Sequence, residues 1–181
     1  VTIFNGWYGE DQVGSGFTGG SGGAPSGAAG GTLNGSYPNP GLVPVEAVYA
    51  AYTADVTVSA NTEAGATVVV TAAPFTPNGT TDYWVEFFCP QCVPANADFI
   101  VICVFDNGVF LTRMGVHAAA TNNNGVITPR IRLDGANRPT AISHTYSIRA
   151  LRGATNGTLK AGAGFGAGIL APGFIDVYKI I

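Results

Sequence analysis

Residues 98–116 read DFIVICVFDNGVFLTRMGV. Seven apolar residues run unbroken from Phe99 to Phe105, most of them β-branched or aromatic. That length fits a strand buried on both faces and falls far short of the ~20 residues that a membrane-spanning helix needs. Asn107-Gly108 then supplies the positive φ angles of a two-residue hairpin turn, and VFLTRMGV returns from it.

The same grammar repeats on either side. TVVVTAA (67–73) and DYWVEFFC (82–89) precede the hairpin, and VITPRIRL (126–133), ISHTYSIRAL (142–151) and FIDVYKI (174–180) follow it. Asn122-Asn123-Asn124-Gly125, Asp134-Gly135 and Asn156-Gly157 mark turns between them. Seven or eight short strands with regular turns and no helical period predict an all-β sandwich. One segment stays open. VEAVYAAYTA (45–54) reads either as a plain strand or as a helical neck with Val45, Val48, Ala51 and Tyr52 on one face.

Charged residues make up 10% of the chain and hydrophobic ones 46%. Ordinary domains carry roughly 25% charge, so the balance points to surface hidden in an oligomer. The nine acids from Glu10 to Asp106 all precede the first base, Arg113, and only Asp134 and Asp176 follow it. The two parts carry −9 and 8 − 2 = +6, which sum to the net −3. The bases stand singly among apolar residues, which argues against a nucleic-acid partner. The asymmetry predicts halves that interleave in one fold or face each other across subunits.

No constellation of side chains points to catalysis. His117 and His144 sit on strands, no GxSxG occurs, and the acids are too dispersed for a glycosidase pair. The glycines of AGAGFGAG (161–168) lack the GK[ST] of a phosphate loop and read as a loop before the last strand. Cys89-Pro-Gln-Cys92 has zinc-like spacing but no second ligand pair, and Pro90 and Pro94 oppose the helix a redox motif needs. Neither a metal nor a cofactor is expected, and the thiols read as free or incidentally paired at a strand end.

The N-terminal region is different in kind. VTIFNGWYGEDQ (1–12) gathers Ile3, Phe4, Trp7 and Tyr8, and a Gly- and Ser-rich tether runs on to residue 31. Glycines at 16, 19 and 22 start a three-residue period that Pro25 breaks, which excludes a collagen helix. GGTLNGSYPNPGLV (30–43) then resembles the Gly-rich YPNP signature that recurs in phage tail-fibre and other virion surface proteins ahead of a distal domain. Thr32 stands where Asp is commonest. HTYSIRA (144–150), the Gly-rich loop and PGFIDVYKI (172–180) resemble the last strands of trimeric C1q/TNF-like jelly rolls.

This resemblance implies a non-enzymatic structural protein on a bacteriophage virion surface, as a capsid decoration or head fibre, with a homotrimeric jelly-roll β-sandwich head. It implies an attachment arm over 1–31, a coupler and neck over 32–59, and a head over 60–181. Pro38 and Pro40 fix an extended path in the coupler, with no helix or ladder to build on. Leu33, Tyr37 and Leu42 could meet their copies around an axis. Ile3, Phe4, Trp7 and Tyr8 would engage other virion proteins of the capsid or tail. The alternatives are a tail-fibre tip for host attachment and a lectin-like adhesin, with Tyr83, Trp84, Asn122, Asn123 and Asn124 as contacts to a host glycan.

Overall fold

The computed structural model describes residues 27–28, 33–34, 36–37, 41–42, 46–95, 97–118, 124–162 and 170–180. Two compact units divide the chain, Val1–Val43 and Pro44–Ile181. In the first, β1 (Gly27–Ala28) pairs with β3 (Ser36–Tyr37), and β2 (Leu33–Asn34) with β4 (Gly41–Leu42), both antiparallel. Short ladders therefore flank the YPNP stretch, where an unpaired path was expected. Proline removes only its own N–H, and its neighbours keep theirs.

The second unit is all-β. Its strands are β5 (Glu46–Tyr52), β6 (Val56–Val58), β7 (Thr67–Thr71), β8 (Tyr83–Val93), β9 (Phe99–Asp106) and β10 (Val109–Ala118). These are followed by β11 (Gly125–Ile127), β12 (Arg130–Leu133), β13 (Tyr146–Arg152), β14 (Gly157–Lys160) and β15 (Gly173–Lys179). One sheet runs β10-β9-β13-β7 and the other β5-β15-β8-β14-β6, with β11 and β12 also on β8. Every ladder among the described residues is antiparallel.

Strand β8 organises the larger sheet. Tyr83 pairs with both Leu133 and Lys179, and Cys92 with both Gly125 and Leu159, so each edge carries two shorter strands in series. Counting β11–β12 as one broken strand, the principal strands in chain order form sheets 1-8-3-6 and 2-7-4-5. That is the strand order of a jelly roll.

Residues 46–59, expected to belong to a coupler and neck, instead build β5 and β6. The helical alternative for 45–54 fails because β5 finds a ladder partner, pairing with β15 from Gly173↔Tyr52 to Tyr178↔Glu46. Its small and β-branched residues then pack on the sandwich core, with Ala47, Val48 and Ala50 against the buried cluster.

The core lies between the sheets. Tyr83, Val85, Phe87, Cys89 and Cys92 point inward from β8, and Ile100, Ile102 and Val104 from β9. The other face of β9 is buried too: Val101, Cys103 and Phe105 form a second cluster with Ala66 and Leu151. Arg149 lies 4.3 Å over the Phe105 ring, and Phe110 meets that ring edge-on at 5.6 Å. Both faces of the 99–105 run are thereby covered, as its unbroken apolar character demands.

Charge asymmetry along the chain resolves within the fold. Glu63, Asp82 and Asp55 from the acidic part pair with Arg113, Arg132, Arg138 and Lys160 from the basic part, at 2.7–3.4 Å.

Candidate functional site

The sandwich has two unlike ends. At the near end the chain enters β5 and leaves β15, and the connections 72–82, 107–108 and 134–145 gather there. At the far end β8 stops at Val93, β10 at Ala118 and β13 at Arg152, and β9, β11 and β14 start at Phe99, Gly125 and Gly157.

Two side-chain hubs hold the near end. Asp82 accepts from Arg132 at 2.8 Å and from Arg138 at 2.7 Å. These two guanidinium groups hold its carboxyl below the usual carboxylate range. The Arg138 bond draws the 3-10 turn Gly135–Asn137 back onto the start of β8. In the second hub the buried His144 meets Asp106 through Nδ1 at 2.6 Å and the Thr140 carbonyl through Nε2 at 3.2 Å. Its ring stacks on Tyr146 at 6.0 Å. Thr140 Oγ1 lies 3.4 Å from the same Nε2. The imidazole thus spends both nitrogens on holding a loop.

Asp98 and Arg152 hold the far end. Asp98 accepts from Phe99 and Thr155, while Arg152 donates to the carbonyls of Ser59, Gly153 and Ala154. Three connections are tied together by these bonds.

A cleft of about 280 Å³ opens between Gly115–His117 and Val126–Pro129, with Ile102 among its lining residues. Its walls are the outer strands of the two sheets, and they mix apolar side chains with His117 and Thr128.

On the outer face of the larger sheet, aromatic residues surround carboxylates. Phe88 stacks on Phe174 at 5.2 Å, Tyr49 lies 5.4 Å from Phe174, and Arg130 covers the Trp84 ring at 4.6 Å. Asp176 and Glu86 stand opposite each other within this face.

Among the described residues, the expected glycan contacts Tyr83, Trp84 and Asn124 are not brought together. Tyr83 is 1% exposed and packs on Phe75 inside the sandwich, so it offers no surface to a sugar. Strand alternation sends Trp84 to the opposite, outer face. Asn124 is exposed beside β11 at the far end, whereas Trp84 lies near the start of β8. The eight residues between the Trp84 and Cys92 levels correspond to about 26 Å of strand. Asn122 and Asn123 lie outside the described residues, as do Ile3, Phe4, Trp7, Tyr8, Pro38 and Pro40. Leu33 and Leu42 are register partners of β2 and β4, and Tyr37 pairs with Gly27.

Cys89, Cys92 and Cys103 are buried free thiols, and no cluster of metal-ligating side chains stands among the described residues. No helix there is long and apolar enough to cross a membrane. Sequence patterning marked the aromatic residues but not the two hubs, because Asp82 and Asp106 acquire their partners from segments tens of residues away.

No family model matches the sequence, and neither does any curated protein. Among solved structures, a chain in "Structure of infectious bursal disease virus Gt strain" is similar at 14% identity and a TM-score of 0.23. The match covers 87% of this chain and 43% of that one, so this chain spans less than half of its length. At that TM-score the likeness adds nothing to the strand order described above.

Proposed function

We propose that this chain is a non-enzymatic structural protein of a bacteriophage virion surface, a capsid decoration or head fibre. In this reading its jelly-roll head is homotrimeric and its arm, residues 1–31, attaches it to other virion proteins through Ile3, Phe4, Trp7 and Tyr8. Residues 32–43 act as the coupler.

The observation that carries the reading is the polarity of the head. The chain enters β5 at the end where Tyr83 and Lys179 pair, and β8, β10 and β13 stop at the other, at Val93, Ala118 and Arg152. An anchor on the entering chain leaves that far end free to face outward. The same polarity supports a second reading, a tail-fibre tip whose far end meets a host surface. A single glycan site made of Trp84 and Asn124 is not proposed, because the two lie at different levels of the sheet.

Deletion of residues 1–31 tests the division of labour. Particles lacking the protein are incubated with the full chain or with the truncated chain, and occupancy is counted by electron microscopy. The truncated chain should keep the circular dichroism and mass of the full head yet leave particles bare. Equal occupancy by both would make the head the docking surface.

A further inference from the structure

Six Asn-Gly pairs occur in the chain, at 5–6, 34–35, 78–79, 107–108, 124–125 and 156–157. An asparagine before glycine is open to attack on its own side-chain amide, because glycine has no Cβ to shield the backbone nitrogen that follows. Both residues are described in the last four pairs, and all four of those asparagines are exposed. Exposure therefore does not tell them apart. Hydrogen bonding does.

Asn78 and Asn107 are held. Asn78 Oδ1 accepts from the Thr80 and Thr81 N–H groups at 3.0 and 2.9 Å, and its Nδ2 donates to Thr81 Oγ1 at 2.9 Å. Asn107 spends its side-chain oxygen and nitrogen on Thr145 and Ser143. Among the described residues no hydrogen bond holds the amide of Asn124 or Asn156. The backbone around Asn156 is clamped instead. Thr155 is fixed to Asp98 by its N–H and its hydroxyl, and Gly157 opens β14, a strand paired on both sides, with β6 and β8. Asn124 leads into a weaker ladder: Gly125 opens β11, three residues long, which pairs with β8 alone. Short outer ladders open locally at low cost. Packing nonetheless favours glycine there, since a Cβ at Gly125 would lie 2.8 Å from His117 Cε1.

We infer that Asn124 is a self-modification site, its side-chain amide being lost to attack by the Gly125 backbone nitrogen. The bond from Gly125 N to Asn124 Cγ forms, the Cγ–Nδ2 bond breaks, and ammonia leaves with the proton given up by the Gly125 amide. Water then opens the resulting cyclic imide. Opening at the main-chain carbonyl leaves an isoaspartate, whose backbone runs through the former side chain and gains a methylene just before β11. Opening at Cγ leaves an aspartate. Either product puts a new carboxylate at the far end of the sandwich, next to the glycine against which the His117 ring packs and to the cleft wall that starts at Val126. The step needs no enzyme and no second copy, so it stands apart from the virion reading above.

The test holds the full chain at mildly alkaline pH, which favours the attacking amide anion, and digests samples at intervals. Mass spectrometry reads, peptide by peptide, the gain that accompanies conversion of amide to acid, and an isoaspartate methyltransferase labels the isoaspartate. Asn124 should convert about tenfold or more faster than Asn78 or Asn107, whose side-chain hydrogen bonds must break first. Asn156 should fall between them. In denaturant all four should convert at similar rates. Asn124→Gln, with its fold checked by circular dichroism, should silence that peptide and leave the others at their wild-type rates. Native conversion of Asn124 no faster than that of Asn78 and Asn107, or slower than that of Asn156, would refute the assignment. The same lead for Asn124 in denaturant would assign the preference to local sequence and overturn the structural argument. Isoaspartate label persisting in that peptide after Asn124→Gln would also overturn it, because Asn122 or Asn123 would then be the source.

Discussion

Thr155 donates to one oxygen of Asp98 twice, from its backbone N–H at 2.6 Å and from its hydroxyl at 2.9 Å, across 57 residues of chain. The Phe99 N–H donates to the other oxygen at 2.8 Å. These bonds, led by the Thr155 N–H and opposed by burial, lower the Asp98 carboxyl to about 2. A depressed carboxyl stabilises the fold above its unfolded value of roughly 4, and the contribution fades as pH falls through the folded value. Asp98→Asn turns an amide N–H₂ toward donors. Its melting temperature should lie below that of the wild type at neutral pH, and the gap should narrow as pH drops from about 4 to about 2. Thermal melts across that window check it, and a pH-independent gap would assign the loss to shape alone.

Such a hub was invisible in the sequence, whereas the sheets were not. Apolar alternation along 82–89 and the unbroken run 99–105 each dictate which faces are buried, and Asn107-Gly108 dictates the turn. Those are local signals. Segment 45–54 misleads because its alanines suit a helix, and only the ladder with β15 decides otherwise. Trp84 and Tyr83 looked equally suited to a sugar. Alternation separates neighbours to opposite faces, but which face is core depends on the second sheet. Asp82, Asp98 and Asp106 read as isolated acids because each meets its partner through tertiary contact.

Cys89, Cys92 and Cys103 are each 0% exposed. Burial pushes the Cys92 thiol up to about 12 and the Cys103 thiol up to about 11, and it raises Cys89 as well. Thiolate is the reactive species, so both access and ionisation oppose labelling. An aromatic disulfide reagent at mildly alkaline pH should leave the folded protein unlabelled and react with all three thiols in denaturant. Rapid native labelling of even one thiol would mean that the sandwich opens locally.

Gly162 has φ +69°, and a Cβ there would lie 2.8 Å from Thr53 Cα and 2.9 Å from Thr53 C. Its N–H donates to the Ala171 carbonyl at 3.2 Å, closing the base of the connection before β15. Backbone cannot yield as a side-chain tip can. Gly135 has a similar φ of +51° but open space around it. Gly135→Ala should therefore cost about 1 kcal/mol, the left-handed penalty alone. Gly162→Ala should cost that plus roughly 1–3 kcal/mol for overpacking. Denaturant melts of the two variants compare them directly, and equal losses would refute the backbone clash.

Asn107 serves the hairpin turn in two separable ways. Its φ of 49° is one that asparagine tolerates better than most residues. Its side chain also reaches the loop before β13, Nδ2 donating to the Ser143 carbonyl at 3.1 Å and Oδ1 accepting from the Thr145 N–H at 3.0 Å. A glycine keeps the turn conformation and loses both bonds, whereas an alanine loses the bonds and adds backbone strain. At ~0.5–1.5 kcal/mol for each exposed neutral bond, Asn107→Gly should cost about 1–3 kcal/mol. Asn107→Ala should cost ~1–2 kcal/mol more. In both variants the Thr145 amide should exchange faster with solvent while the amides of β9 and β13 keep their protection, because the lesion is confined to the near end. If Asn107→Gly were as stable as the wild type with Thr145 unchanged, the side chain would be a bystander, and the turn would need nothing from it but its φ.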